Sequence, residues 1–268
     1  MTPADDTTAQ PGATAQPDTA ARPDTTAQPG KGTIRVLQLY PREMNIYGDW
    51  GNALVLQQRL RWHGYTPELI EYNVGDEFPE DVDVIVGGGG QDSGQLLIQD
   101  DLQARGETLR QLATDGTPML VICGLYQLFG KFFKTSAGPV IPGIGILDVE
   151  TNGTDERLIG NVTLNSPEFG EILGYENHSG QTTLGPGVEP LGSVSRGAGN
   201  NSKDGHEGAR YRNVVASYLH GSLLPKNPAI ADFLIRTAVE RKYGTFVPGT
   251  PDDGYARLAR EHAARRPR

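Results

Sequence analysis

The sequence predicts an α/β protein built on a doubly wound, mostly parallel sheet flanked by helices, with a β-rich second half. Two observations carry this expectation. Short, largely apolar runs such as VDVIV (82–86) and PMLVIC (118–123) suit strands buried on both faces, as in parallel sheets. Segments with helical spacing of Leu, Ile and Val alternate with these runs, the pattern of successive β-α units.

The elements follow in order. Residues 1–32 stand apart: TTAQPG occurs at 7–12 and again at 25–30, and the stretch has no Val, Ile, Leu or aromatic residue. It cannot bury enough apolar surface to offset its ordering entropy, and it reads as a disordered low-complexity extension. A first strand is expected over Ile34–Tyr40, a helix over Asn52–His63 ended by Gly64, and a short strand over Glu68–Tyr72. The run 82–86 ends in four glycines, and a helical segment follows around Gly106–Thr114. Pro118–Cys123 reads as a buried strand and Gly124–Phe133 as the next helix. Later strand candidates are Gly145–Val149, Arg157–Leu164, Ile172–Glu176, Gln181–Leu184 and Val214–Leu219. A final helix starts after Asn227-Pro228, because Asn is a good N-cap and Pro is tolerated in the first turn. The predicted domain spans 33–248. Residues 249–268 form an Arg-rich tail, either a solvated helix or a disordered end, with a partner-docking helix as the alternative.

Composition narrows the function. The 268 residues are 37% hydrophobic and 21% charged, as expected of a globular protein with some unstructured sequence attached. A formal net charge of −9 argues against a general nucleic-acid binder. One cysteine rules out an intrachain disulfide and fits a reducing compartment. No run approaches the ~20 apolar residues of a membrane span, and no signal-peptide core is present, so the expected location is cytoplasmic.

The single cysteine, Cys123, sits where an apolar strand turns into a helix (PMLVIC, then GLYQLFG). A side chain at such a turn is presented at the end of the sheet. The unpaired N–H groups of the helix start favour a thiolate and can later hold an oxyanion. A buried packing cysteine is the competing reading. A thiol nucleophile needs a base. Of the five histidines, His220 closes the run VVASYLH and is followed by Gly221, at a strand end where α/β sheets gather site residues. His178 in YENHSG is a weaker candidate of the same kind. His63 reads as a surface or capping residue, and His206 and His262 lie in polar segments. Any of these could be a hydrogen-bonded structural histidine. The glycine-rich GGGGQDSGQ (87–95) is not a P-loop; it is a tight turn or an anion-binding backbone opposite Cys123.

Taken in order, these features resemble class I glutamine amidotransferases of the cobyric acid synthase-like branch. NIYGDWGN (45–52), GGGGQD (87–92), CGLYQLFGK (123–131), GIGILD (143–148), ERLIGN (156–161), GYENHSG (174–180) and YLHGSLLPKNP (218–228) carry the likeness over residues 33–248. They narrow it to the glutaminase subunits of two-subunit enzymes that amidate the lipid II stem peptide in peptidoglycan synthesis. The resemblance implies a flavodoxin-like fold, with Cys123 as nucleophile and His220 as general acid/base. It implies Arg157 as the glutamine-binding residue, and backbone N–H groups near Gly89 and Gly124 as oxyanion donors. Without the resemblance, Arg157 reads as a surface salt-bridge residue. It also implies a heterodimer with a MurT-like Mur ligase subunit. ATP and Mg would bind on that partner, lipid II would be reached through it, and no cofactor or metal is expected in this chain.

Two departures bear on the site. Many class I domains read G-x-C-x-G-x-Q, and here Val121 and Leu125 replace the glycines. The position two after His220, acidic in most of the class, is Ser222. The sequence therefore leaves the carboxylate that orients the base unassigned, and the expectation is that the partner supplies it and raises the activity of the isolated chain. A glutaminase serving another synthetase, such as a corrinoid amidase, and a non-catalytic binding module on the same fold remain as alternatives.

Overall fold

The structure is a computed structural model that describes residues 30–266. The low-complexity expectation for 1–32 falls almost wholly outside the described residues. Strand β1 (Thr33–Leu39) opens the domain, followed by helix α1 (Gly51–Trp62), β2 (Thr66–Tyr72), β3 (Val84–Gly87), α2 (Asp92–Thr114), β4 (Met119–Ile122) and α3 (Gly124–Phe129). Then come β5 (Phe132–Lys134), β6 (Val140–Pro142), β7 (Val149–Ser166), β8 (Gly170–Leu184), β9 (Gly192–Arg196), β10 (His206–Glu207), β11 (Ala209–Tyr211) and β12 (Val214–Ser217). Helices α4 (Pro228–Tyr243) and α5 (Gly254–Arg265) finish the chain.

The main sheet has the order β11-β12-β4-β3-β1-β2 and is parallel except for the β11–β12 pair. β3 and β4 are buried at every position, as their unbroken apolar runs require. The order β2-β1-β3-β4-β12 places the reversal between β1 and β3, where open α/β sheets form a crevice at the carboxyl ends of their strands. The loops after β1, β3 and β4 and the chain beyond β12 all leave at that end.

Several boundaries differ from the sequence reading. Helix α2 begins at Asp92, directly after the glycine loop, well before the expected Gly106. Its first turns expose Leu96 and Leu97 beside the buried Ile98, a run of three apolar residues that obscures the helical periodicity. Helix α3 stops at Phe129, because Gly130 is extended and the chain re-enters as β5. Most of the strand expected over Gly145–Val149 is a turn; only Val149 belongs to β7. The pieces expected around 157–164, 172–176 and 181–184 join into one long antiparallel β7–β8 hairpin in a second sheet. The segment after 248 is tied to the domain. Asp253 pairs with Arg59 of α1, and Arg260 of α5 donates to the carbonyls of Lys226 and Glu171.

Candidate active site

The nucleophile turn is strained as its sequence suggests. Cys123 has φ 49° and ψ −101°, a backbone conformation that is costly for a residue with a Cβ. Its N–H donates to the carbonyl of Ser217 at the end of β12 (2.8 Å), and its carbonyl accepts the N–H of Gln127 (2.9 Å). These bonds fix the turn between sheet and helix. The side chain lines a cavity of about 420 Å³ together with Tyr47, Gly90, Gln127, Arg157 and His178. Because α3 has only six residues it brings no long helix dipole to the thiol, and the Leu125 N–H of its first turn is taken by the carbonyl of Gly88 (3.4 Å).

His220 reaches the thiol by a route that differs from the expected strand end. β12 stops at Ser217, and the chain crosses to the second sheet, where the N–H of His220 donates to the carbonyl of Tyr175 on β8 (2.7 Å). The imidazole is fully buried. Its Nδ1 faces the carboxylate of Asp49 at 3.2 Å, and its ring meets the edge of Tyr47 with centroids 4.9 Å apart. The other nitrogen, Nε2, makes no hydrogen bond among the described residues and is the one left to exchange a proton with Cys123. Burial is the largest influence on this ring and pushes its pKa down. The neighbouring Cys123 sulfur and the Asp49 carboxylate reverse that and raise it to about 10. The arrangement is a thiol–imidazole pair backed by a carboxylate.

Asp49 is the functional residue that the sequence reading missed. The sequence leaves this acid unassigned, with the partner expected to supply it; Asp49 fills the position from within this chain. It lies in the motif NIYGDWGN, 171 positions before His220, and the class pattern had directed attention to Ser222 instead. The available signal was an acidic residue in a Gly- and Asn-flanked loop directly after a parallel strand. Ser222 has a supporting part: its hydroxyl donates to the carbonyl of Gly48 (2.7 Å), which braces the loop that carries Asp49.

The glycine loop also needs a correction. The Gly89 N–H donates to Asp49 Oδ2 (2.8 Å), so it orients the carboxylate and is not free for an oxyanion. Gly89 is nevertheless required sterically. A Cβ there would lie 2.7 Å from His220 Cε1 and 3.1 Å from Cys123 Cβ, between the two reacting side chains. The neighbouring Gly90 lines the cavity, and its nitrogen lies 2.9 Å from where a Cβ on Gly124 would sit. Gly90 therefore packs directly against Gly124, the residue after the nucleophile, with no room for a side chain between them. Leu125 is fully buried and fills the space above Gly87, which has no side chain. The departure from glycine at 125 is therefore a packing exchange with the first glycine of the loop.

Arg157 is an exposed residue on β7 and lines the same cavity. Its Nε donates to Asn177 Oδ1 (2.8 Å), and Asn177 Nδ2 donates to the Tyr47 hydroxyl (2.8 Å). This places a guanidinium fork at the mouth, suited to a carboxylate. His178 is buried and stacked on Tyr218 at 3.6 Å, and its Nδ1–H donates to the carbonyl of Gly180 (2.8 Å). Burial lowers its pKa to about 4, so it is a neutral wall of the cavity and not the base. His63 is the C-cap of α1, as the capping alternative expected, and is buried rather than at the surface. It contacts Asp232, and its Nδ1 accepts the N–H of Gly249. His206 and His262 lie away from the cavity lining.

A nucleophile elbow at the crevice of a doubly wound sheet, with an imidazole and a carboxylate behind it, defines a Cys-dependent hydrolytic site. The chain belongs to the CobB/CobQ-like glutamine amidotransferase domain family, whose profile matches residues 35–228. It is 39% identical over 212 residues to the lipid II isoglutaminyl synthase (glutamine-hydrolyzing) subunit GatD of Staphylococcus aureus N315, covering 79% of this chain and 86% of that protein. The corresponding Streptococcus pneumoniae R6 subunit is 37% identical over 214 residues, covering 79% of this chain and 82% of the relative. A crystal structure of a glutamine amidotransferase superposes with a TM-score of 0.55 at 17% identity, over 75% of this chain and 98% of that one, and supports the fold.

Proposed function

We propose that this glutamine amidotransferase is the glutaminase subunit of a lipid II isoglutaminyl synthase, acting in the cytoplasm beside a MurT-like ligase subunit. The observation that carries the reading is the similarity to two such subunits over 79% of this chain, joined to a Cys123–His220–Asp49 arrangement in which Cys123 lines the cavity and His220 and Asp49 are buried behind it. Among the described residues no helix is long and apolar enough to cross a membrane.

The chemistry follows from the geometry. The Cys123 thiolate attacks the side-chain carboxamide carbon of glutamine, and the carbonyl oxygen becomes an oxyanion facing the amides of Gly90 and Gly124. His220 gives its Nε2 proton to the departing nitrogen, and ammonia leaves with formation of a γ-glutamyl thioester. Water then attacks the thioester while His220 accepts its proton; glutamate leaves and the thiolate is restored. Arg157 holds the α-carboxylate of the substrate. Amidation of a carboxylate by ammonia also requires an activated acid, so ATP and Mg belong to the ligase partner, which would activate the D-glutamate α-carboxylate of the stem peptide.

The test is co-expression with a MurT-like ligase and an assay of lipid II amidation with ATP and Mg. Cys123→Ala should abolish amidation with glutamine and retain it with ammonium. A complex that hydrolyses glutamine and leaves lipid II unamidated would overturn the assignment of the acceptor.

A further inference from the structure

Glu207, in β10, lies behind the catalytic pair and is fully buried. Among the described residues Glu207 forms no ion pair with a cationic side chain, and a buried carboxyl without a counter-charge is costly. Apart from the N–H of the adjacent Gly208, its hydrogen-bond partners belong to one short segment. Oε1 accepts the N–H of Tyr218 (2.6 Å), and the Ser217 hydroxyl lies 3.2 Å from each carboxyl oxygen. That hydroxyl in turn accepts the N–H of Leu219 (3.0 Å).

The peptide unit between Ser217 and Tyr218 links these bonds to the site. Its carbonyl accepts the N–H of Cys123 (2.8 Å), and its N–H donates to Glu207. β12 ends at this peptide, since the next N–H has turned from the sheet to the carboxyl, and His220 follows two residues later. One peptide plane therefore has the nucleophile's backbone at one end and Glu207 at the other.

We propose that Glu207 is a positioning residue for glutamine hydrolysis. By clamping the Ser217–Tyr218 peptide, it holds the strained backbone of Cys123 and the approach of His220 in a single register. It touches neither substrate nor thiol. Burial pushes its carboxyl up to about 8, and the buried Glu176 adds to the rise, against the donors that favour ionisation. At neutral pH it serves Tyr218 largely as a neutral acid, through an oxygen that a glutamine side chain can reproduce.

The inference rests on the glutaminase reading, and the experiment separates the two. Glu207→Leu, Glu207→Gln and Ser217→Ala are compared with the wild-type chain, alone and with its ligase partner, in glutaminase assays and in iodoacetamide alkylation of Cys123. Glu207→Leu removes the acceptor, and kcat should fall about 10²-fold with KM within about twofold, the pattern of a displaced nucleophile. Glu207→Gln should recover most of that loss. Ser217→Ala keeps the backbone carbonyl and should lower kcat several-fold, which decides the matter if Glu207→Leu does not fold. Unchanged kcat in a folded Glu207→Leu, a loss confined to KM, or a wild-type-like Ser217→Ala beside an unfolded Glu207→Leu overturns the proposal. If the wild type hydrolyses no glutamine in either form, the glutaminase reading fails. The alkylation rates, expected to be slower in Glu207→Leu and restored in Glu207→Gln, then decide this inference.

Discussion

The Asp49 carboxylate stands 3.2 Å from Nδ1 of His220, and its same oxygen accepts the N–H of Gly89 at 2.8 Å. One carboxylate oxygen thus joins the loop after β1, the glycine loop after β3 and the base. Three chain segments distant in sequence are locked at the point where the nucleophile enters. The imidazole is oriented from within this chain.

Two outcomes are expected from that geometry. The isolated chain should hydrolyse glutamine measurably, and Asp49→Asn should lower kcat by about 10² to 10⁴-fold, as loss of an orienting carboxylate does elsewhere. His220 is held protonated up to about 10, above the ordinary 6.5. The stability it contributes is complete below 6.5 and is lost as pH rises through about 10. Activity that needs the imidazolium should decline over the same alkaline range. In Asp49→Asn one of the two raising charges is gone, so the alkaline limb of the kcat/KM profile should move to lower pH. A limb that stays in place would show that Asp49 does not act on the base.

Arg157 should separate binding from chemistry. Its guanidinium lines the cavity at the Asn177–Tyr47 pair and makes no hydrogen bond to Cys123 or His220. A charge-assisted bond to the substrate carboxylate is worth about 1.5–3 kcal/mol, so Arg157→Ala should raise KM for glutamine about 10- to 100-fold. kcat should change only a few-fold. Steady-state glutaminase assays decide this, and a loss confined to kcat would move Arg157 from substrate binding to catalysis.

The parallel sheet was legible because buried strands such as MLVI at 119–122 show as unbroken apolar runs beside turn residues. Cys123 and His220 were legible for a related reason, each closing an apolar run next to a glycine. Asp49 was not, because its partner is determined by how three loops converge in space and leaves no local pattern. Gly89 was assigned to the right place with the wrong partner: the sequence shows a flexible loop but not which amide points where. The β7–β8 hairpin read as fragments because a register shift between Gly153 and Leu158 interrupts its alternation.

Leu125 tests the departure from the usual glycine pattern. It is fully buried and covers Gly87, so its removal should open a cavity rather than restore a better elbow. Leu125→Gly should cost about 3–5 kcal/mol from the lost core contacts, plus about 1 kcal/mol for glycine in a helix. Chemical denaturation would read this as a lower midpoint with an unchanged slope. A variant as stable as the parent would mean that the position is not packed as described.

Arg59 links α1 to the end of the chain. Its buried guanidinium forks onto both oxygens of Asp232 on α4, at 2.7 Å each, and reaches Asp253 before α5. Arg59→Met leaves both carboxylates without this partner. They are about one-third exposed (32% and 33%), so water relieves part of the penalty and a cost of about 2–3 kcal/mol is expected. Burial raises the Asp232 pKa, but His63 and Arg59 together outweigh it, and the carboxyl lies below its ordinary 3.8. A depressed carboxyl contributes stability that is present above 3.8 and is lost as pH falls through the folded value. The gap between wild type and Arg59→Met should therefore be widest at neutral pH and narrow once the medium is more acidic than that. Denaturation midpoints measured from pH 7 downward should begin to draw together only below about 3.8, and a gap that stays constant through the acid limb would place the effect of Arg59 in packing rather than charge.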